Sequence, residues 1–232
     1  MISELLIQII HYSPLEDRRK YLEELFFKEE LQAKYILDHD RENMETAQNE
    51  FTYLKDEGIF LAKINELWKI EGEEYRVLTD GELSCYYKHL QALKNLSLSE
   101  KNYGLILEDD VLALKSIKKN LEKILKKLKN SDWDIIFLGR GSGKEFIKSK
   151  SKYDIANLKY LIPEHPASNC AEAYILKKDV AKKLFKQMKK FHLSYDWELG
   201  YQMYKADLNV RWYYPSLFRQ GSQDSTYNSA LR

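Results

Sequence analysis

Three consecutive carboxylates, Glu108, Asp109 and Asp110, directly follow an apolar segment in the middle of the chain. Adjacent acids in a partly buried site repel one another, and a divalent cation offsets that repulsion. Such oxygen ligands suit Mg²⁺ or Mn²⁺, which take one or two protein carboxylates and complete their coordination with water and phosphate oxygens. The triplet therefore predicts a cation that holds a diphosphate and acts as a Lewis acid when the diphosphate leaves.

The triplet alone also fits other kinds of site. Acidic residues after a strand can form a solvated turn or cap a helix. A phosphoacceptor receiver domain carries paired acids after its first strand, whereas this pair lies mid-chain, and a haloacid-type phosphatase needs Asp where this chain has Glu108. A magnesium-dependent nucleotidyl- or phosphotransferase, which would move a phosphate, stays open as an alternative.

The segments that must position the triplet alternate between strand and helix patterns. Apolar runs predict strands over Leu5 to His11 and Tyr103 to Leu107, and helical spacing predicts helices over Leu15 to Leu31 and from Glu82 onward, with Thr79 or Asp80 as cap. Further strands are predicted over Tyr35 to Leu37, Asp134 to Leu138, Ala173 to Leu176 and Val210 to Tyr214, with helices over Leu114 to Leu128 and Asp179 to Met188. This order predicts an α/β domain with a mainly parallel central sheet, helices on both faces and ligand loops at the carboxyl ends of the strands.

Length and composition favour one domain over residues 1–232, since 44% of the residues are apolar and 13% aromatic. Residues 38–75 are charged, helix-prone and poorly periodic, which indicates a helical insertion. No run approaches the roughly 18 apolar residues of a membrane span, and no secretory signal pattern is seen, so we expect a cytoplasmic protein. Cys85 and Cys170 are expected to be free thiols.

The formal net charge of +1 conceals an asymmetry: residues 115–190 carry 20 Lys plus Arg against 8 Asp plus Glu. That basic surface can attract phosphorylated donors, anionic lipid or acidic glycans, or it can consist of solvated helix faces. Residues 114–128 and 179–192 have amphipathic character, so a non-catalytic glycan- or membrane-surface-binding protein, peripheral at the inner face of the membrane, is a further alternative. Packing of these helices against the sheet is the competing explanation. No nucleic-acid partner is expected.

Three blocks of residues occur in one order along the chain. The first is Gly81, Glu82, Leu83, Ser84 and Cys85 with His89 a turn later; the second is Leu105 to Val111, followed by Trp133 to Gly139; the third is Tyr195, Asp196 and Trp197 with Pro215, Gln220 and Ser225. Together with the opening strand and Asp17, Arg18 and Arg19, these blocks resemble glycosyltransferase family 25. This family includes bacterial lipooligosaccharide galactosyltransferases and, more distantly, collagen galactosyltransferases.

The resemblance implies an A-type glycosyltransferase fold, which is Rossmann-like, and a uridine-diphosphate (UDP) sugar donor, commonly of galactose. It also implies transfer with inversion to a glycan acceptor such as lipooligosaccharide or polysaccharide. Lys88 departs from the family pattern, which usually has Ser before His89, and residues 38–75 match no block.

The family motif assigns Asp110 as the main metal ligand, to Mn²⁺ or Mg²⁺, and Glu108 as a ribose contact or weaker second ligand. Successive residues of an extended chain face opposite sides, so Asp109 is expected to point away from these two. Asp224 or Gln220 is expected to close over the metal. Many A-type enzymes use a late His as a further ligand, but no His follows His192, so that ligand is unassigned.

An inverting transfer needs a base within reach of the acceptor hydroxyl. Asp196 is the candidate, with the ring of Trp197 as an apolar wall for the sugar, and Glu198 is the fallback. The alternative role for Asp196 is a helix cap.

The remaining candidates are donor-binding residues. His89 and Glu82 are expected to approach the donor from the Gly81 end of their helix, although a hydrogen-bonded core histidine is the alternative for His89. Residues that follow the first strand usually bind the base or ribose, which makes Tyr12, Ser13 and either Arg18 or Arg19 candidates; either arginine can instead form a surface ion pair. Asp109 and Gln220 complete this predicted donor site.

Overall fold

The structure is a computed structural model that describes residues 2–68, 74–129, 131–139, 151–153, 159–161 and 171–231. The helices are α1 (Glu16–Lys28), α2 (Glu45–Glu50), α3 (Glu57–Trp68), α4 (Asp80–Leu98), α5 (Ile117–Leu128), α6 (Lys178–Gln187) and α7 (Tyr195–Lys205). The strands are β1 (Leu5–Ile10), β2 (Lys34–Ile36), β3 (Thr52–Tyr53), β4 (Tyr103–Glu108), β5 (Val111–Ala113), β6 (Ile135–Phe137), β7 (Ser151–Tyr153), β8 (Lys159–Leu161), β9 (Ala173–Lys177), β10 (Lys190–Phe191), β11 (Val210–Tyr214) and β12 (Phe218–Gln220).

The central sheet has eight strands in the order β2-β1-β4-β9-β6-β11-β8-β7. Strands β2, β1 and β4 are parallel neighbours, and β6 and β11 form a second parallel pair. Strand β9 lies between the two groups and is antiparallel to both β4 and β6, while β8 is antiparallel to β11. Most strands therefore run in one direction, and their carboxyl ends lie along one edge of the sheet.

Successive strand residues face opposite sides of the sheet, and this alternation builds two cores. Ile106 of β4 packs with residues of α4, α6 and α7, whereas Leu105 and Leu107 pack with residues of α1 and α5. The α/β class, the mainly parallel sheet and the helices on both faces are confirmed. The architecture agrees with the A-type glycosyltransferase fold that the resemblance implies.

Helix α5 shows why a basic amphipathic segment need not contact a membrane. Its apolar residues Ile117, Leu121, Ile124 and Leu125 are buried in the core shared with α1, and only its lysine side faces outward. In α6, Val180, Ala181 and Leu184 are buried in the other core. The structure therefore supports packing of these two helices against the sheet. Among the described residues, no helix combines the length and apolar character needed to cross a membrane.

Residues 38–75, for which the sequence predicts an irregular helical insertion, contain α2, β3 and α3 in the part that is described. Strand β3 pairs with β10, and α3 packs against α7 through a small apolar cluster that includes Phe60, Ile64 and Leu193. This segment is thereby attached to the side of the molecule that carries α7. Cys85 is a free thiol, as predicted, and Cys170 lies outside the described residues.

Candidate active site

The candidate site lies where two neighbouring parallel strands end. Strands β1 and β4 pair in register from Leu5 with Tyr103 to Ile10 with Glu108, so the residues that follow β1 lie beside Asp109 and Asp110. The amino end of α4 and residues 221–231 lie against this edge and complete the walls around the triplet. We call residues 221–231 the closing segment.

Asp109 anchors the residues that follow β1. Its Oδ2 accepts hydrogen bonds from the Tyr12 backbone N–H at 3.0 Å and lies 3.0 Å from Nδ1 of His11, while its Oδ1 accepts from the Arg18 guanidinium at 2.5 Å. Burial raises the pKa of Asp109, but the contacts with His11, Arg18 and Tyr12 outweigh burial, and the net shift is downward. Asp109 is therefore a charged anchor, with each of its oxygens engaged by protein donors.

Asp110 is held from one side only. Its Oδ2 accepts a hydrogen bond from the Ser222 hydroxyl at 2.5 Å, and its backbone carbonyl accepts from Gly221 N–H at 2.8 Å. Its Oδ1 is buried and has no hydrogen-bond partner among the described residues. Burial raises the pKa of Asp110 despite the Ser222 contact. A buried carboxylate oxygen without a partner is costly, and a hard divalent cation fits it.

Glu108 lies between the other two carboxylates of the site and α4. Its Oε2 accepts from the Gln220 amide at 3.2 Å, and its Oε1 lies 3.4 Å from Nε2 of His89. Burial, with the nearby carboxylates of Asp110 and Glu172, raises its pKa well above the ordinary value. This concentration of negative charge again favours a cation at the site.

Two cavities open onto this sheet edge. The first, of about 70 Å³, lies between the triplet and the amino end of α4. The second, of about 200 Å³, extends toward the start of α7. Both share the walls formed by Cys85, Glu108, Gln220 and Leu231, so they are neighbouring parts of one site. The first cavity is also lined by Tyr12, Arg18, Arg41, Gly81, Ser84, Lys88, Asp109, Asp110, Ser222 and Ser229. The second is also lined by Arg76, Glu82, Ala171, Tyr195, Asp196 and Trp197.

The amino end of α4 is fixed by a capping box. The Thr79 hydroxyl accepts from Glu82 N–H, and the Glu82 carboxylate accepts from Thr79 N–H, while the Arg76 guanidinium donates to both Glu82 carboxylate oxygens at 2.7 Å. The Thr79 hydroxyl also donates to the Leu231 carbonyl at 2.5 Å. A Cβ at Gly81 would lie 2.7 Å from that carbonyl oxygen, so glycine is what allows the closing segment to approach the helix.

Asp196 lies in the first turn of α7, at the wall of the second cavity. Its Oδ1 accepts from the Ser194 hydroxyl at 2.8 Å and from Trp197 N–H at 3.0 Å. Burial raises its pKa from 3.8 to about 6, because these hydrogen bonds only partly offset desolvation. Helix α7 begins at Tyr195 with Ser194 as its N-cap residue, so Asp196 lies inside the first turn and is not the cap. Asp196 does have the pKa of a base that works near neutral pH.

His89 is fully buried in the α4 core. Its ring stacks on Tyr195 with centroids 3.8 Å apart, and Nδ1 lies 3.1 Å from the Tyr174 hydroxyl, which in turn lies 2.7 Å from the Tyr195 hydroxyl. Burial lowers its pKa to about 3, so the ring is neutral. His89 lines neither cavity and lies behind Cys85 and Glu108, which agrees with the core-histidine alternative.

Four predicted site residues lie elsewhere. Glu198 is fully buried and forms an ion pair with Lys63 of α3. Its side chain therefore points away from the second cavity, and this position argues against Glu198 as the fallback base. Asp224 pairs with Arg219 and contacts Thr226 rather than turning toward Asp110. Arg19 forms a surface ion pair with Glu23, and Ser13 donates through its backbone N–H to Asp40 at 3.4 Å.

Comparisons with known proteins identify the family. The model of glycosyltransferase family 25, described as an LPS biosynthesis protein, matches residues 7–199. The chain belongs to glycosyltransferase family 25. The match includes all three triplet carboxylates, the α4 residues and Asp196.

The family 25 chain is similar to animal procollagen galactosyltransferases. It is 26% identical over 157 residues to human procollagen galactosyltransferase 2, which covers 66% of this chain and 23% of that protein. It is 36% identical over 67 residues to procollagen galactosyltransferase 1-B of Xenopus laevis, which covers 28% of this chain and 11% of that protein. The chain therefore matches about a quarter or less of the length of these relatives.

Comparison with solved structures matches the chain to a glycosyltransferase involved in the glycosylation of the major capsid of PBCV-1. That comparison covers 96% of this chain and 99% of the other, at 9% identity and a TM-score of 0.49. A second match is S. aureus TarS in complex with UDP-GlcNAc, which covers 97% of this chain and 61% of the other, at 11% identity and a TM-score of 0.44.

Several residues around the site carry no assignment from the sequence, among them Arg41, His11, Lys88 and Ser222. His11 follows β1 opposite Asp109, a position that the strand register, once known, identifies. Lys88 replaces the usual family Ser, and its buried ammonium donates to the His11 carbonyl at 2.7 Å and to Asp40 at 2.6 Å. Ser222 carries no sequence signal of its own. Its contact with Asp110 depends on the pairing of β12 with β5, which brings the residues after Gln220 beside those before Val111.

Proposed function

We propose that the chain is an inverting, metal-assisted glycosyltransferase that moves a sugar from a UDP-sugar to a hydroxyl of a glycan acceptor. Family membership supports glycosyl transfer over the nucleotidyl- or phosphotransferase alternative. The observation that carries the metal assignment is the buried Oδ1 of Asp110, which has no partner among the described residues. Asp110 itself lines the first cavity. Bound there, Mn²⁺ or Mg²⁺ supplies Lewis-acid stabilisation of the leaving diphosphate.

The protein groups around Asp110 divide the work. Ser222 fixes the Asp110 carboxylate by donating to Oδ2, which leaves Oδ1 to hold the cation. Gln220 holds Glu108, which serves as a ribose contact or second ligand. Asp109 does not bind the cation in this proposal, because His11, Arg18 and the Tyr12 N–H engage its oxygens.

The nucleotide end of the donor is proposed to lie against Tyr12 and Arg41. The Arg41 guanidinium lies 4.2 Å from the Tyr12 ring centroid, and both residues line the first cavity. An aromatic ring with a stacked cation offers a flat surface for a base and positive charge for the phosphates. The Lys88 contacts with Asp40 and the His11 carbonyl hold the loops after β1 and β2 together beneath this surface.

Asp196 is proposed as the base that accepts the proton of the acceptor hydroxyl. It shares the second cavity with Glu108, Gln220 and Trp197, so an acceptor bound there lies beside the donor site. A base with a pKa of about 6 is ionised at neutral pH and can still accept a proton as the bond forms. The Trp197 ring provides an apolar surface for a sugar face.

Galactose is the proposed sugar, because the curated relatives are named procollagen galactosyltransferases. The proposed acceptor is a bacterial-type surface glycan such as lipooligosaccharide, in line with the description of the family as an LPS biosynthesis protein. The lysine side of α5, which carries Lys119, Lys123 and Lys126, would attract such an anionic acceptor or the membrane surface that bears it.

Neither cavity reaches the roughly 300 Å³ at which ligand pockets begin. Ser229, Ala230 and Leu231 line the first cavity, and Leu231 meets the amino end of α4 through a hydrogen bond from the Thr79 hydroxyl and a close backbone approach to Gly81. We therefore expect the end of the closing segment to shift when the donor binds.

The deciding experiment measures release of UDP from UDP-galactose, UDP-glucose and UDP-N-acetylglucosamine with Mn²⁺, with Mg²⁺ and after treatment with a chelator. We expect metal-dependent release of UDP that Asp110→Asn reduces to near background, while Asp224→Asn, which changes an acid outside the cavities, retains it. Pyrophosphate as the product would favour the nucleotidyltransferase alternative. Full turnover by Asp110→Asn would reject the metal assignment.

A further inference from the structure

A second group of possible metal ligands lies beside the triplet. Cys85 and His89 are four residues apart on α4, one turn of the helix, and Glu108 ends the adjacent strand β4. One ligand atom from each of these three side chains lies within 4.8 Å of the others. Ligands around a tetrahedral zinc ion stand about 3.3 to 3.8 Å apart, as follows from metal–ligand distances of about 2.0 to 2.3 Å. Because the stack on Tyr195 holds the His89 ring in place, the Cys85 and Glu108 side chains would have to rotate inward to reach that spacing.

The environment of His89 orients its free nitrogen toward this group. Nδ1 contacts the Tyr174 hydroxyl at 3.1 Å, and the stack on Tyr195 fixes the plane of the ring. Nε2 is buried without a hydrogen-bond partner among the described residues and lies 3.4 Å from Oε1 of Glu108. A histidine that ligates a metal commonly uses its other ring nitrogen for such an outer contact. In the tautomer whose Nδ1–H donates to the Tyr174 hydroxyl, the lone pair of Nε2 faces the Glu108 carboxylate, and a cation held between them would satisfy both groups.

Cys85 connects this group to solvent. Its side chain is a free thiol and forms part of the wall of both cavities, which provides a route for an ion. A bound divalent cation deprotonates a coordinating thiol and replaces its proton. Thiolate and imidazole ligands select zinc, whereas Mn²⁺ and Mg²⁺ prefer oxygen ligands such as Oδ1 of Asp110.

The geometry points to a zinc site formed by Cys85, His89 and Glu108, which inhibits the enzyme by withdrawing Glu108 from the donor. The inhibitory part rests on the proposed function, because it assigns Glu108 to donor binding; the zinc site itself does not. Zn²⁺ would take three protein ligands there, which leaves a fourth position for water or a donor oxygen. The chain then has one site for a hard cation and one for a soft cation, and Glu108 belongs to both.

The binding test uses the metal-free full chain titrated with Co²⁺, which reports thiolate ligation through a ligand-to-metal absorption band. We expect one equivalent of Co²⁺ to produce the band and Zn²⁺ to displace it. Cys85→Ser should abolish the band, and His89→Gln should weaken Zn²⁺ binding by about 10-fold or more. Cys170→Ser and His39→Gln are the matched thiol and imidazole controls. Each should retain the cobalt band and the wild-type affinity for Zn²⁺. Circular dichroism confirms that each variant is folded, and the conservative Cys85→Ser keeps the test decisive if His89→Gln unfolds.

The inhibition test compares UDP release with and without Zn²⁺ for each variant, in the presence of Mn²⁺. The wild-type rate should fall as the soft site fills and recover on chelation and return of Mn²⁺, whereas the rate of Cys85→Ser should not respond to Zn²⁺ over the same range. Absence of the cobalt band, or a band that survives in Cys85→Ser, overturns the site. A band with no effect on turnover overturns the inhibition. Asp110→Asn should keep the cobalt band while losing UDP release, so failure of the zinc site and failure of the proposed function are distinguishable.

Discussion

Asp110 and Ser222 are 112 residues apart in sequence, yet the Ser222 hydroxyl donates to Oδ2 of Asp110 at 2.5 Å. This contact fixes one oxygen of a buried carboxylate and leaves the other, Oδ1, without a partner in the part of the chain that is described. The orientation of the proposed metal ligand therefore depends on a residue of the closing segment, far from the triplet in sequence.

Ser222→Ala is expected to weaken metal binding rather than to abolish catalysis. Loss of an outer hydrogen bond to a metal ligand typically costs about 10- to 100-fold in metal affinity. The Mn²⁺ concentration for half-maximal UDP release should rise by about 10-fold, with most of kcat recovered at saturating metal. Ser97→Ala removes a comparable hydroxyl hydrogen bond at the far end of α4 and should leave the Mn²⁺ titration unchanged. An unchanged titration for Ser222→Ala would contradict the role of this contact.

The pH dependence of transfer is expected to follow Asp196. Because burial raises the pKa of Asp196 to about 6, the carboxylate that accepts the proton is depleted below that pH. The transfer rate at saturating donor and metal should rise with pH up to about 6 and then level off. Asp196→Asn should bind donor normally, transfer slowly and lose this rise. Wild-type transfer by Asp196→Asn would remove Asp196 as the base.

The same shift predicts a change in stability. A carboxyl group whose pKa rises on folding contributes stability that is fully present below its unfolded value of 3.8 and is lost as the pH rises through about 6. Asp196→Asn resembles the neutral carboxyl, and its amide oxygen can still accept from Ser194 and Trp197. At neutral pH its free energy of unfolding should exceed that of the wild type by on the order of 1 to 3 kcal/mol. Urea unfolding at neutral pH and at about pH 4, where the difference should vanish, checks this, with the exposed Asp38→Asn as control.

The sequence predicted the elements of the site better than the contacts within it. The strand before Glu108 and the helix that begins near Thr79 follow from periodicity and capping residues, which are local signals. The resemblance assigned Asp196 to the site without predicting where α7 begins. The His11–Asp109 contact needs the register of β1 with β4, which periodicity does not fix. Glu198 shows the same limit, since its position in the first turn of α7 does not reveal that it faces α3.

The buried Lys63–Glu198 ion pair is expected to hold α3 against α7. Lys63 donates to both Glu198 oxygens, at 2.7 and 2.9 Å, and Glu198 also accepts from the His192 N–H. Lys63→Met leaves a buried carboxylate without its partner and should lower the free energy of unfolding by about 3 kcal/mol. Adding Glu198→Gln should recover part of this loss, as measured by urea unfolding of the two single variants and the double variant. Glu198→Gln should retain transfer, and its inactivity in a folded protein would restore Glu198 as a catalytic candidate.

Gly81→Ala is expected to displace the end of the closing segment. The new Cβ would lie 2.7 Å from the Leu231 carbonyl oxygen and 2.9 Å from the Leu231 Cα, and neither can move without shifting the backbone. Limited proteolysis within the closing segment should become faster, and the KM for the donor should fall because Leu231 no longer narrows the first cavity. Gly58→Ala, where the added methyl has only an ordinary contact at 3.5 Å, is the matched control. An unchanged proteolysis rate and KM would contradict this account.

The closing segment also makes the fold and the donor site separable. The strands and helices that form the two cores precede it along the chain, whereas Ser222, Asn228 and Leu231 supply contacts to Asp110, Arg18 and Thr79. A chain shortened to residue 220 should therefore keep its sheet and both cores but lose UDP release, and supplying residues 221–231 as a separate peptide is the complementation that would test this division.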